Sequence, residues 1–236
     1  MLPMNRRKVE ESIGYVFKDG ALLERAFTHS SACARTGGNY QDLEFLGDSV
    51  LGFAVSRRLY SLYPDAGEGV LTKMRACVVS ERPLARAVDR LGIAGELIMG
   101  DSERKTGIET HDSIKCDLFE SVTAAIYLDG GFDAAEAFVL RCLDGEIAEA
   151  RTSYKRADAK SCLNEYVMKK GVSVEYREEL REGAPHLPVF VYSVYVGGER
   201  AGEGRGASKR EAQQAAAAAA LTFLRERKQG RGKPAE

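Results

Sequence analysis

The sequence has little that marks a secreted or membrane protein. Its five cysteines, Cys33, Cys77, Cys116, Cys142 and Cys162, are odd in number and form no C-x-x-C pair, a pattern typical of reduced thiols in the cytosol. The N-terminus MLPMNRRKVEES lacks the apolar stretch of a signal peptide. No run approaches the ~20 apolar residues that a transmembrane helix needs. We therefore expect a cytoplasmic protein without membrane contact.

A nucleotide-binding loop is also missing. The glycine-rich segment GEGRG lacks the spacing of a phosphate-binding loop. We therefore expect no nucleotide cofactor.

The charge is unevenly distributed along the 236 residues. The formal net charge is −1, which by itself does not suggest a nucleic-acid partner. However, residues 156–236 carry 15 Lys+Arg against 11 Asp+Glu, whereas residues 1–155 carry 19 against 24. An acidic first part joined to a basic second part indicates two separate tasks.

Periodicity and glycine breaks predict helices throughout residues 1–150. The predicted helices cover about 6–13, 20–28, 42–62, 69–91, 113–128 and 132–149. The polar segment RTSYKRADAK that follows marks a linker, which we place at residues 151–157. We expect residues 1–150 to form an all-α domain.

The pattern changes after the linker. A short helix at about 159–170 is followed by three strand-like stretches near 173–182, 188–196 and 199–206, and then by a helix from about Ser208 to Arg227. The last helix contains six consecutive alanines, whose small side chains would let it lie close on a sheet. We expect a small α-β-β-β-α domain at residues 158–228 and a disordered tail at 229–236.

The segment LEFLGDSVLGFAV, residues 43–55, places two carboxylates in an apolar helix. Glu44 and Asp48 are four residues apart and share one face, while apolar residues cover most of the remaining circumference. Gly47 and Gly52 each cost about 1 kcal/mol relative to alanine inside a helix. We infer that close packing requires both glycines.

A second helix repeats the arrangement in SIKCDLFESVTAAIYLDGG, where Asp117 and Glu120 are three residues apart. One such pair on an amphipathic helix is usually solvent-facing or paired with basic residues, but two pairs on nearly apolar helices favour a different interpretation. Four neighbouring carboxylates repel one another and are costly to desolvate unless they are neutralised. A hard divalent cation with oxygen ligands is the natural counter-charge, and it can activate water at a phosphodiester.

The run QDLEFLGDSVLGF resembles the signature of the ribonuclease III family, and the D-x-x-E of the second helix resembles the family's second acidic motif. THSS (28–31), EGVLTKMRACVVSE (68–81) and residues 158–224 resemble further family segments in the same order. The resemblance thus covers nearly the whole chain.

The resemblance implies a Mg²⁺-dependent endoribonuclease, with Mn²⁺ as a substitute, that cuts double-stranded RNA to 5′-phosphate and 3′-hydroxyl ends with a short 3′ overhang. Glu44, Asp48, Asp117 and Glu120 match the metal ligands, and of these Asp48 and Glu120 are expected to be catalytic. Phe45 matches a residue that packs into the partner subunit of a homodimer. Ribosomal and messenger RNA precursors are the expected substrates.

The resemblance also assigns an RNA-binding surface. A-form RNA is gripped through phosphates and minor-groove 2′-hydroxyls, and a helix N-terminus attracts phosphate. The residues expected to bind RNA are Ser161, Asn164, Glu165, His186, Ser208, Lys209 and Arg210. Gln213 stands at a usually basic position, which weakens the expected phosphate contact.

The sequence departs from the family at Gln41, where glutamate is usual, and this substitution puts metal affinity and rate in question. Two other functions compete with the nuclease. A non-catalytic RNA-binding homologue would have lost metal ligands, and all four acids are present. A nucleotide phosphohydrolase would need paired histidines, whereas His29, His111 and His186 are far apart in the sequence.

Overall fold

The structure is a computed structural model that describes residues 4–32, 38–184 and 187–230. It divides into two compact units, Met1–Ala150 and Arg151–Glu236. Within the described part of the chain, no helix is both long and apolar enough to cross a lipid bilayer.

The first unit is built from helices, as the sequence predicts. Its helices are α1 (Arg6–Ile13), α2 (Gly20–Ala26), α3 (Gln41–Leu62), α4 (Glu68–Val78), α5 (Glu81–Leu91), α6 (Asp101–Thr106), α7 (Asp112–Gly130) and α8 (Phe132–Cys142). The boundary between the units falls within the next helix, α9 (Asp144–Ala157).

Two predicted helices are each divided in the structure. The predicted helix 69–91 breaks after Val78 because Ser80 is extended, with φ −78° and ψ 161°, and Pro83 then lies in the first turn of α5, where its missing N–H is tolerated. The predicted helix 132–149 ends at Cys142, and α9 begins two residues later. The six-residue α6 was not predicted, because so short a segment carries no clear periodicity.

Helix α7 lies at the centre of the first unit and packs against α2, α3, α5 and α8. Its middle is buried, including the polar residues Ser121 and Thr123. The Ser121 hydroxyl donates to the carbonyl oxygen of Ala26 at 2.8 Å, which satisfies a buried polar group. The two helices that carry the predicted acidic pairs are therefore direct neighbours.

The second unit has the predicted helix–strand–strand–strand–helix order. Its elements are α10 (Ala159–Met168), β1 (Val174–Glu182), β2 (Val189–Val196), β3 (Glu199–Gly206) and α11 (Lys209–Gly230). The strands form one antiparallel sheet in the order β1-β2-β3. Gly197 and Gly198 join β2 to β3 with φ of 60° and 83°, as a two-residue hairpin turn requires.

The alanine tract of α11 packs on the sheet, as predicted. A Cβ atom on Gly204 would lie 2.1 Å from the backbone nitrogen of Ala216, and one on Gly202 would lie 2.5 Å from the carbonyl oxygen of the same residue. Backbone therefore meets backbone, and only glycine in β3 and alanine in α11 permit this spacing.

Two predicted irregular segments coincide with helix. Residues 151–157, where the sequence predicts a linker, form the C-terminal half of α9. The predicted disordered tail begins inside α11, which continues to Gly230, and residues 231–236 lie outside the described residues. Polar composition alone does not distinguish an exposed helix from a loop.

Candidate functional site

Helix α3, which carries Glu44 and Asp48, is buried along one side in the first unit. Its residues Leu43, Gly47, Val50, Leu51, Ala54, Val55 and Leu59 are buried. Phe45 and Phe53 are apolar yet 80% and 58% exposed. The helix thus combines a packed side with an apolar surface that the single chain leaves open to solvent.

Helices α3 and α7 approach each other closely at Gly47. A Cβ atom on Gly47 would lie 1.9 Å from the carbonyl oxygen of Glu120, which is impossible without moving one of the helices. The prediction that close packing requires glycine is therefore confirmed at Gly47. Within the single chain it is not borne out at Gly52, because no described atom outside its own helix backbone lies within 4 Å of a Cβ atom there.

This approach brings acidic residues of both helices together. One carboxylate oxygen each from Glu44, Asp117 and Glu120 lie within 4.8 Å of one another, and all three side chains are half-buried. Asp48 is exposed on α3, one turn after Glu44, and is outside this group of three. Its negative charge nevertheless contributes to raising the pKa of Glu120.

Burial and mutual repulsion raise the proton affinity of the cluster. The pKa of Glu120 rises to about 7, first because of burial and then because of the negative charges of Asp48, Glu44 and Asp117. Burial also raises the pKa of Glu44, with a further contribution from Asp117. Burial raises the pKa of Asp117 as well, although the Tyr40 hydroxyl and the charge of His29 oppose this.

The donor set fits a hard divalent cation. Three carboxylates within reach of a single ion supply the oxygen ligands that Mg²⁺ and Mn²⁺ prefer. Their pKa values are raised first by burial, and those of Glu44 and Glu120 are raised further by the negative charge of neighbouring carboxylates. A bound cation would relieve that repulsion, so the same arrangement that is unfavourable for three anions is favourable for a metal centre.

The second unit carries an exposed cationic helix N-terminus. Ser208, Lys209 and Arg210 are all exposed at the start of α11. The Ser208 hydroxyl accepts from the backbone N–H of Glu211 at 3.2 Å, and the Glu211 carboxylate accepts from the N–H of Ala207 at 2.9 Å. These bonds resemble a capping box and fix the helix start.

Helix α10 borders this surface. Ser161 and Asn164 are partly exposed and Glu165 is exposed, and the amide oxygen of Asn164 is buried without a hydrogen-bond partner among the described residues. The loop histidine, His186, lies outside the described residues.

Two contacts on this surface were not predicted. The Lys160 ammonium donates to the amide oxygen of Gln213 at 2.6 Å, so a cation lies beside the position where the sequence lacks one. Lys209 forms an ion pair of 2.8 Å with Glu178 on β1. The paired residues are 53 and 31 positions apart in the sequence. Only the packing of the sheet and helices brings them together, so no local sequence pattern reveals either contact.

The two units match two families. A family model described as Ribonuclease-III-like matches residues 19–145, which is more than half of the chain. A second model, described as the double-stranded RNA binding motif, matches residues 159–224. The chain belongs to the ribonuclease III family.

Relatives within the ribonuclease III family cover the full architecture. A protein named Ribonuclease 3 from Symbiobacterium thermophilum is 43% identical over 223 residues, which are 93% of this chain and 94% of the relative. One of the same name from Enterococcus faecalis is 40% identical and covers 92% and 96%. A solved structure of a ribonuclease III nuclease domain from Campylobacter jejuni, described as flexible in a region involved in dimer formation, superposes with a TM-score of 0.57 at 35% identity. It covers 60% of this chain and 98% of that domain.

Three further residues near the acidic cluster are not indicated by the acidic motifs of the sequence. The Cys116 thiol lies 3.8 Å from Glu120 Oε1, a contact that their i, i+4 spacing on α7 indicates in retrospect. The Tyr40 hydroxyl contacts Asp117, and the charge of Glu81, at the start of α5, raises the pKa of Asp117. Tyr40 and Glu81 come from other elements, so no local pattern reveals them.

Gln41 lies at the exposed first turn of α3. Its backbone N–H donates to the Asn39 side chain at 2.8 Å, so that Asn39 supports the helix start. Gln41 does not belong to the group formed by Glu44, Asp117 and Glu120. Its effect on the rate of cleavage therefore stays a prediction.

Proposed function

We propose that the chain is a Mg²⁺-dependent endoribonuclease that cuts double-stranded RNA as a homodimer, leaving 5′-phosphate and 3′-hydroxyl ends. The observation that carries the proposal is the convergence of Glu44, Asp117 and Glu120 from two helices to within 4.8 Å. Because the chain belongs to the ribonuclease III family, we interpret this cluster as the metal centre of a nuclease. Mn²⁺ is expected to substitute for Mg²⁺ because both prefer oxygen ligands.

The roles of the acidic side chains follow from their positions. Glu44, Asp117 and Glu120 would hold the cation between α3 and α7, and Asp48 would complete the centre from the solvent side. A cation held there would supply activation of water and stabilisation of negative charge on the phosphodiester. The half-burial of the carboxylates limits competition from bulk water.

The second unit would bind double-stranded RNA whatever the nucleotide sequence of the RNA. Lys209 and Arg210 at the α11 N-terminus, together with the helix dipole, would contact phosphates. Ser161, Asn164 and Glu165 on α10 would contact the minor groove, and His186 would probe it from the loop between β1 and β2. Such binding depends steeply on salt because counterions are released from the RNA.

The homodimer would form through the exposed aromatic surface of α3. Phe45 is the most exposed large apolar side chain on this helix. A cavity of about 490 Å³, lined in part by Phe53, Tyr60 and Leu71, opens beside the C-terminal half of the same helix and also includes Glu68. We expect Phe45 to pack against the partner subunit, in a cytoplasmic enzyme that processes structured ribosomal and messenger RNA precursors.

A cleavage assay on a perfect RNA duplex with Mg²⁺ tests the proposal. We expect Glu120→Gln to bind the duplex as tightly as the wild type but to cut it at least about a thousandfold more slowly, because one metal ligand loses its charge. Glu149→Gln, on the exposed side of α9, is the matched control and should cut normally. Equal cleavage by the wild type and Glu120→Gln, or cleavage by neither, would overturn the proposal and leave only RNA binding.

A further inference from the structure

We propose that Tyr40 is a positioning residue that orients the carboxylate of Asp117 for the divalent cation. The inference rests on the proposed function, because it assigns a role toward the same metal centre. Tyr40 belongs to none of the acidic motifs, and it immediately precedes helix α3.

The hydroxyl of Tyr40 reaches the acidic cluster directly. It donates a hydrogen bond to Oδ2 of Asp117 at 3.3 Å, across 77 residues of sequence. A carboxylate that accepts one hydrogen bond keeps lone pairs free for a cation, and its rotation is restricted. Hydrogen bonds of this kind orient metal ligands in proteins, and their loss typically costs 10–100-fold in metal affinity or activity.

The backbone around Tyr40 fixes the position of its ring. The Tyr40 N–H donates to the carbonyl oxygen of Thr28 at 2.9 Å, and the Tyr40 carbonyl accepts from the N–H of Glu44 at 2.7 Å. The second of these bonds begins the first turn of α3, so Tyr40 is tied to a cluster residue through the main chain as well as through its side chain.

The ring is also held by its surroundings. Tyr40 is only 3% exposed, and the ring of His29 meets it edge-on at a centroid distance of 5.8 Å. His29 is itself held in place. Its backbone N–H donates to the carbonyl oxygen of Ile98 at 2.8 Å, and its ring Nδ1 lies 2.8 Å from the Ser31 hydroxyl. A ring restrained in this way cannot follow Asp117 if that side chain rotates, so the hydrogen bond constrains Asp117 rather than the reverse.

A purely structural role for Tyr40 makes a different prediction. If the residue only filled the core, then phenylalanine, which keeps the ring and removes the hydroxyl, would leave metal binding unchanged. If Tyr40 orients Asp117, the same substitution would weaken metal binding while the fold stays intact. The hydroxyl is therefore the group to remove.

Tyr15 provides a matched control. Its hydroxyl donates to Asp129 Oδ2 at 2.7 Å, so Tyr15→Phe also removes a tyrosine–carboxylate hydrogen bond from the first unit. Asp129 lies at the C-terminal end of α7 and also caps the backbone N–H groups of Lys18 and Asp19. It does not belong to the acidic cluster.

The experiment measures Mn²⁺ binding by electron paramagnetic resonance in full-length wild type, Tyr40→Phe and Tyr15→Phe, with thermal unfolding recorded in EDTA. We expect Tyr40→Phe to raise the Mn²⁺ dissociation constant by roughly tenfold and to raise the Mg²⁺ concentration for half-maximal cleavage in parallel. Tyr15→Phe should leave both values within twofold of the wild type, at a comparable change in Tm.

Two results would overturn the inference. One is a Mn²⁺ affinity of Tyr40→Phe within twofold of the wild type, and the other is an equal loss in Tyr15→Phe. If the wild type binds Mn²⁺ and cuts RNA while Tyr40→Phe does both equally well, only the role of Tyr40 fails. If the wild type itself neither binds Mn²⁺ nor cuts, the proposed function fails and takes this inference with it.

Discussion

The ammonium group of Lys209 lies 2.8 Å from Oε2 of Glu178, an oxygen that also accepts from the Tyr192 hydroxyl at 2.6 Å. Glu178 thus neutralises a cation that the proposed RNA-binding surface would use for phosphate. The hydrogen bond to Lys209 lowers the pKa of Glu178, so the carboxylate stays ionised under physiological conditions. RNA phosphate and Glu178 would compete for the same ammonium.

We predict that Glu178→Gln tightens binding of duplex RNA. Removing the competing charge frees Lys209, and since exposed ion pairs are weak, the expected gain is about two- to fivefold in affinity at 0.1 M salt. Fluorescence anisotropy with a labelled duplex measures it. Glu179→Gln, at the adjacent exposed position on β1, should gain less because it removes only a general negative charge. Equal gains in both variants would argue against a specific pair.

Metal binding should depend on pH through Glu120. Its pKa is raised from the ordinary 4.5 to about 7, so below about pH 7 this carboxyl in the metal-free protein holds a proton that a cation must displace. Affinity for Mn²⁺ should therefore rise up to about pH 7 and then level off. Titration calorimetry between pH 5.5 and 8.5 tests this, with proton release expected only below about pH 7.5. In Glu120→Gln the steep part of the pH dependence should disappear.

The same shift sets how the stability of the metal-free protein varies with pH. Because the folded protein holds the Glu120 proton more tightly than the unfolded chain does, the stability from this group is fully present below about pH 4.5 and is lost as pH rises through about 7. Thermal unfolding in EDTA should show a larger drop in Tm between pH 5 and 7.5 for the wild type than for Glu120→Gln. The opposite order would contradict the raised pKa.

Gly47 and Gly52 should respond in opposite directions to alanine. At Gly47 the added methyl group would collide with the backbone of Glu120, so Gly47→Ala should cost about 1–3 kcal/mol of unfolding free energy and weaken Mn²⁺ binding. At Gly52 the space is open, and Gly52→Ala should stabilise the helix by up to about 1 kcal/mol. Urea denaturation in EDTA at one protein concentration measures both. A neutral Gly47→Ala would show that α3 and α7 can separate without penalty.

Phe45 should contribute to the homodimer more than to the fold of one subunit. It is 80% exposed, so Phe45→Ala should leave the core intact while raising the dimer dissociation constant by at least about tenfold, as loss of a buried aromatic anchor does. Sedimentation velocity over a range of concentrations measures the constant. Val16→Ala removes an apolar side chain that is 74% exposed and serves as the control. An unchanged dimer in Phe45→Ala would place the interface elsewhere.

The sequence predicted those elements whose signals are local. Helix α3 was expected at 42–62 and spans Gln41–Leu62, because its apolar periodicity and its glycines act within a few turns. The i, i+4 spacing likewise placed Glu44 and Asp48 on one face. The three strands agree within one residue, since glycines with positive φ end them at Gly183 and Gly197.

What the sequence could not predict depends on contacts between distant segments. Tyr40, whose backbone is bonded to Thr28, reaches Asp117 across 77 residues of sequence. Glu178 meets Lys209, and Lys160 meets Gln213, only after a sheet and two helices have packed. The separation of Asp48 from the other three acids also depends on how α3 is rotated against α7, which no helical pattern specifies.

The approach of β3 to α11 has a consequence for how this protein can vary. Gly202, Gly204 and Gly206 each leave no room for a methyl group against the α11 backbone, and Ala212, Ala216 and Ala220 on that helix are fully buried. Usually the large core residues of a domain tolerate substitution least. In this module the smallest residues should be the least replaceable, and a saturation scan would find its strictest positions in a stretch that composition alone would dismiss as low complexity.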